Sequence, residues 1–157
     1  GMNDSLIGVA YNLKPNNSLT IRLGASCILP TYKTALNNNN TDYAASVNLN
    51  YTVDEANVFF GYSHTIINDD DIAGTVAYQN TNAYNIGLGY YLLSNFYMSG
   101  AYNKSDSIYS GVEDVETASV YGYYSIDKNW FTTLYYAYGL SSSASDNAIS
   151  IKLGYYF

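Results

Sequence analysis

Residues 18–29 read SLTIRLGASCIL, and every second position sorts the segment into two unlike faces. One face carries Leu19, Ile21, Leu23, Ala25, Cys27 and Leu29, and the other Ser18, Thr20, Arg22, Gly24, Ser26 and Ile28. A period of two belongs to extended chain, whose side chains alternate across a sheet, so this is a strand with one greasy and one small, polar face. Residues 42–53 split likewise, with Tyr43, Ala45, Val47, Leu49, Tyr51 and Val53 opposing Asp42, Ala44, Ser46, Asn48, Asn50 and Thr52. The same alternation predicts strands over 5–13, 58–67, 82–92, 96–104, 117–126, 130–140 and 148–157, which makes nine strands and leaves no useful helical period.

The connections alternate in length. Short polar turns fall at 14–17, 54–57, 93–95 and 127–129; between them lie longer segments at 30–41, 68–81, 105–116 and 141–147, rich in Asn, Asp, Ser and Gly. A soluble sandwich has no reason for such an alternation, whereas a membrane-spanning barrel has short turns on one side and long loops on the other. The expected fold is therefore all-β, an antiparallel up-and-down transmembrane β-barrel of eight to ten strands, one domain over 1–157.

Composition agrees. Charged residues are 12% of the chain and aromatics 17%, with 20 tyrosines, so much of the surface must face something other than water. No apolar run approaches the roughly 20 residues of a spanning helix, so a bilayer would be crossed by strands. A net charge of −7 with six Lys and Arg argues against nucleic acid as a partner, because phosphate binding needs a basic surface. The lone Cys27 permits no intrachain disulfide and no zinc motif, and reads as a small apolar strand residue. No cofactor motif appears. The opening Gly1-Met2 reads as an expression remnant, so no export signal is expected in this sequence and its absence says nothing of location.

Alternation alone does not say which face is outside; the contents of the faces do. Across the strands the apolar face admits His64, Lys104 and Glu116 as its titratable exceptions besides tyrosine, all near loop ends. A Lys at a bilayer midplane costs roughly 2–4 kcal/mol, so this exclusion points the greasy face at lipid and the face of mainly Gly, Ser, Thr, Ala and Asn, with Tyr and a few charges, at the interior. Aromatics of the outer face fall at two levels: Tyr11, Tyr51, Phe60, Tyr90, Phe96, Tyr124, Trp130, Tyr155 and Phe157 near the short turns, and Tyr43, Tyr84, Tyr102 and Tyr138 near the long loops. Two levels are what headgroup belts require.

The last strand, 148–157, has Ile149, Ile151, Leu153 and Tyr155 at alternate positions and ends on Phe157. It resembles the insertion signal of bacterial outer-membrane β-barrels. The resemblance implies that Tyr155 and Phe157 are read by the barrel-assembly machinery through strand pairing, and that the chain lies in a bacterial outer membrane with lipid and lipopolysaccharide as neighbours. Leu23-Gly24-Ala25, Leu29-Pro30-Thr31 and the closing Gly154-Tyr155-Tyr156-Phe157 are similar to the outer-membrane barrels assigned to phenol meta-pathways, which implies solute passage.

Three charges share the inward parity: Arg22, Asp42 and Lys152. They form either a structural network or the lining of a water path. His64 is the only histidine, so any His general base must be this one; its neighbour Ser63 points to the other face, leaving Asp69, Asp70 or Asp71 as its carboxylate partner. The acidic groups Asp69-Asp70-Asp71 and Glu113, Asp114 and Glu116 lack the spacing of a dedicated cation loop, so no metal site is expected. The leading expectation is a non-enzymatic barrel, either a narrow passive channel or a structural membrane component. The alternatives are an outer-leaflet enzyme centred on His64 and a loop-based ligand-binding or adhesive barrel.

Parity adds one more expectation. With nine strands, Phe157 on the short-turn side puts the start of strand 5–13 on the long-loop side, whereas single-chain barrels keep both ends periplasmic. Either 5–13 lies outside an eight-stranded wall beginning at Ser18, or the chain is the C-terminal part of a larger barrel with an open N-terminal edge. A second copy could then satisfy that edge, giving a homo-oligomer.

Overall fold

The computed structural model describes residues 5–30, 40–68, 77 and 79–157. It contains β1 (Ser5–Leu13), β2 (Leu19–Leu29), β3 (Asp42–Val53), β4 (Ala56–Ile66), β5 (Thr81–Leu93), β6 (Phe96–Ser105), β7 (Val115–Ser125), β8 (Trp130–Gly139) and β9 (Asn147–Tyr155). These nine strands form one sheet in sequence order, each hydrogen-bonded antiparallel to the next. Strand existence and face assignment follow the alternation. The boundaries move by a few residues, because two of the turns are tighter than their polar composition suggests.

Two kinds of short turn join the strands. Val53 pairs with Ala56, so β3 and β4 meet through only Asp54 and Glu55, and Asp54 takes φ 52°. That left-handed conformation is one a short polar side chain tolerates. Between β5 and β6 the register shifts from Tyr91↔Tyr97 to Leu93↔Phe96, a bulge at Leu92 that closes on Ser94-Asn95. The first and last turns instead wind round a side-chain acceptor. Asn16 Oδ1 accepts from the backbone N–H groups of Ser18 and Leu19 at 2.8 and 2.9 Å, and Asp127 Oδ1 from those of Asn129 and Trp130, both at 2.8 Å. These bonds hold Asp127 below the usual carboxylate range, since each favours the charged form.

Strand 5–13 is a wall strand: β1 pairs with β2 from Ser5↔Leu29 to Leu13↔Ile21. The eight-stranded alternative beginning at Ser18 is thereby overturned; the greasy side of Ile7, Val9 and Tyr11 continues that of Cys27, Ala25 and Leu23. Among the described residues β1 has no neighbour beyond β2, and β9 none beyond β8. Both are edges, and because neighbours alternate in direction, both run the same way.

The sheet has almost no apolar core. Ala137 is the one buried hydrophobic residue among those described, and no large side chain is fully buried. On interior strands, where both neighbours are in place, Leu88 is 65%, Ile86 54% and Val58 52% exposed. A water-soluble fold buries such residues, each worth about 1.5–3 kcal/mol. Here they stand exposed together on the outward side, a concentration of apolar surface that soluble monomers rarely show.

Candidate functional site

The register fixes which residues share the inward side. Asn12 opposes Arg22, Arg22 opposes Asn48, Asn48 opposes Gly61, and Gly61 opposes Asn85, which opposes Asn103. An amide-rich belt thus crosses the wall from β1 to β6. Its members are cross-linked in places. Asn57 Nδ2 donates to Asn50 Oδ1 at 2.9 Å, and Asn103 Nδ2 lies 3.3 Å from Ser119 Oγ. Two hollows lie along this face. One of about 380 Å³ is lined toward the long loops by Ser46, Ser63, Asn103, Ser105 and Thr117; the other, about 410 Å³, lies between Asn12, Arg22, Asn48, Asn50 and Phe59.

The three inward charges are not brought together. Arg22 is exposed on β2, its Nη1 3.5 Å from Asn12 Oδ1. Lys152 is exposed on the edge strand β9, opposite Thr133. Asp42 stands at the other end of the wall, opposite Ile28, six residues or roughly 20 Å along β2 from Arg22. It is 8% exposed, and its Oδ1 accepts from the Asn68 backbone N–H at 2.7 Å. That bond ties the exit of β4 to the start of β3, a local structural role that strand parity alone does not show.

On the outward side the titratable exceptions are each provided for. Lys104 and Glu116 are cross-strand partners, Nζ to Oε1 3.6 Å, and Lys104 also lies 3.7 Å from Asp114 Oδ2. The Lys104 charge at the rim of the outward face is thus paired where it stands. Glu113 bonds to Ser142 Oγ, so the second acidic group is spent on protein partners. His64 opposes Asn82, and its Nδ1 lies 2.8 Å from Asn82 Oδ1, which also accepts from Tyr62 Oη at 2.7 Å. Asn82 Nδ2 points at Asp106 Oδ2, 3.1 Å away, and a carboxylate only accepts, which fixes the amide orientation. With the amide so oriented, the oxygen of Asn82 faces His64 Nδ1. The expected partners Asp69, Asp70 and Asp71 lie outside the described residues; among those described, an amide and not a carboxylate orients this histidine.

Tyr155 and Phe157 lie at the short-turn end beside the free edge. The Tyr155 ring meets Trp130 at 4.8 Å and Phe157 at 5.3 Å. Cys27 stands on the outward side between Ile7 and Tyr43.

The tyrosines expected on the inward face gather, with Phe131, into an aromatic band, a grouping that strand-by-strand reading does not show. Tyr91 and Tyr97 meet at 5.0 Å, Tyr123 stacks on Phe131 at 5.4 Å, and Phe131 on Tyr156 at 4.7 Å. Tyr97 Oη donates to Asn57 Oδ1 at 2.7 Å, and the Tyr123 and Tyr156 hydroxyls lie 3.2 Å apart. The signal was present as aromatic dipeptides. Phe59-Phe60, Tyr90-Tyr91, Phe96-Tyr97, Tyr123-Tyr124, Trp130-Phe131 and Tyr155-Tyr156 all fall near short turns, and a period of two sends one ring of each pair inward.

A consecutive antiparallel sheet with apolar residues outside and polar residues inside is the wall of an outer-membrane-type β-barrel. Among solved structures, this chain is similar to a NanC porin, with a TM-score of 0.71 and 16% identity over 97% of this chain and 78% of that one. No family model and no curated protein matches the chain, so the likeness to the phenol meta-pathway barrels rests on its short motifs alone.

Proposed function

We propose that this chain is an integral outer-membrane β-barrel protein that acts without catalysis as a narrow passive channel for small solutes. The observation that carries the reading is the inverted distribution of side chains: Leu88, Ile86 and Val58 exposed outward, and Asn48, Asn85 and Asn103 lining the hollows within. Lipid satisfies the first group and water the second. The porin likeness supports the architecture this function needs. Against an outer-leaflet enzyme stands His64, held by Asn82 on the outward side, away from the hollow lined by Ser63.

Charge gives the channel a preference. Between the rims the inward charges of the strands are Arg22 and Lys152, while Asp42 is tied to Asn68 at the loop end. Among the described turn and loop carboxylates, Asp54, Glu55, Glu113, Asp127 and Asp146 are exposed, where screening acts within about 8–10 Å. Fixed charge in the narrow path outweighs charge at an open mouth, so anions pass more readily than cations. Lipid and lipopolysaccharide are the proposed surroundings, Tyr155 and Phe157 the contact read by the assembly machinery, and a second copy the partner of the β1 edge. The test is single-channel recording of the refolded protein in a planar bilayer under a salt gradient. Conductance with a reversal potential on the anion side is expected, moving toward zero in Arg22→Gln/Lys152→Gln. A silent bilayer overturns the channel, and an unmoved reversal potential overturns the role of the two cations.

A further inference from the structure

We propose that Gly87, Gly89 and Gly154 set the width of the lumen, each by providing a seat on which an inward aromatic ring lies flat against the wall. All three share the inward parity, and none has the positive φ that would require glycine for its backbone; among the described glycines only Gly111 does, at 81°. Space is the reason instead. A Cβ at Gly154 would overlap the ring of Phe131, and one at Gly87 the tip of the Phe59 ring together with the Gly100 backbone oxygen. In both cases the glycine is the ring owner's register partner on the next strand, Phe59↔Gly87 and Phe131↔Gly154. The third seat spans further. Tyr97 of β6 reaches across β5 to Asn57 of β4, and Gly89, the partner of both Asn57 and Ser99, is the residue it crosses; a Cβ there would overlap the Tyr97 hydroxyl.

The outward glycines of the sheet differ, whereas inward Gly61 is crowded by the Asn48 and Asn85 amides in place of a ring. Gly122, on the outward side opposite Met98 and Leu134, has nothing within 4 Å of its added Cβ, and at outward Gly100 the nearest atom is a backbone oxygen at 3.9 Å. Aromatic rings that cover sheet glycines protect the backbone and gain contact area. On an inward face they gain something else, because a ring denied its seat has one other direction to take, into the lumen. The short-turn half of the wall therefore carries bulky residues without being filled by them.

This inference rests on the channel reading, and the experiment separates the two. Wild type, Gly87→Ala, Gly154→Ala and the control Gly122→Ala are refolded with 4-fluorophenylalanine and studied by fluorine NMR with a water-soluble paramagnetic agent, and by bilayer recording. In the two seat variants the Phe59 or Phe131 resonance should become more accessible to the agent, and conductance should fall about twofold as the ring narrows the path. Gly122→Ala should change neither. Gly154→Ala/Phe131→Ala, which removes the displaced ring, should restore conductance. Unchanged fluorine accessibility in both seat variants overturns the proposal, as does an equal loss in Gly122→Ala. Rings that move in a protein that never conducts refute the channel and leave the seats standing.

Discussion

The two ends of this wall use aromatic residues differently. Near the short turns rings stand on both sides: Phe96 packs with Tyr124 outside at 6.1 Å, while their neighbours Tyr97 and Tyr123 lie inside. Near the long loops the strand rings among the described residues are outside, as in the Tyr62–Tyr84 pair at 5.1 Å, and the inward strand positions include Ala44, Ser63, Ala83, Ser105 and Thr117. Outward rings at both ends fit the two headgroup levels of a bilayer. Inward rings at one end do not; they answer to the interior. A single residue type thus serves two faces here, with strand parity choosing between them.

The largest expected effect breaks the outer and inner sides apart. Ile86→Arg places a guanidinium at mid-wall on the outward side and should destabilise the protein by about 2–4 kcal/mol, whereas Asn103→Lys beside the inner hollow should change stability by less than about 1 kcal/mol. Chemical unfolding of both variants from lipid vesicles measures the contrast, and equal losses would remove the assignment of faces. A smaller effect separates the two kinds of ring. Tyr97→Phe deletes the hydrogen bond to Asn57 and should cost about 1 kcal/mol, more than Tyr124→Phe on the outward side. The same unfolding measurement compares them.

The smallest effect concerns the turns. Asp127 is held below its ordinary pKa by two backbone donors, so its contribution is present above the unfolded value of about 3.9 and lost as pH falls through the lower folded value. Stability curves of wild type and Asp127→Ala should differ at neutral pH and converge in acid below about pH 4. A constant gap down to pH 2 would show that the carboxylate contributes nothing through its charge.

Strands and faces were legible because the period of two is written into every segment, from Leu19–Leu29 to Asn147–Tyr155. The inward band was legible too, in the aromatic dipeptides, but rings were weighed as outward belts because their preference for an interface is the stronger general rule. The role of Asp42 was not legible. It shares a face with Arg22, yet the loop backbone at Asn68 is what it meets, a contact between residues 26 apart in sequence. The glycine seats were hidden for a related reason: Gly87 and Phe59 become partners only once the register of β4 against β5 is known.

The common direction of β1 and β9 has an energetic consequence. Joined to one another, or β9 of one copy to β1 of a copy inserted in the same sense, they meet as parallel strands. Such a seam recovers the edge hydrogen bonds, but slanted and slightly weaker per residue than the antiparallel ladders elsewhere in the wall. Only an odd number of intervening strands makes every ladder antiparallel. A wall sealed directly at β1 and β9 would therefore have one line of lower strength, and under heat or denaturant it would unzip along Ser5–Leu13 and Asn147–Tyr155 first, before any ladder between β2 and β8.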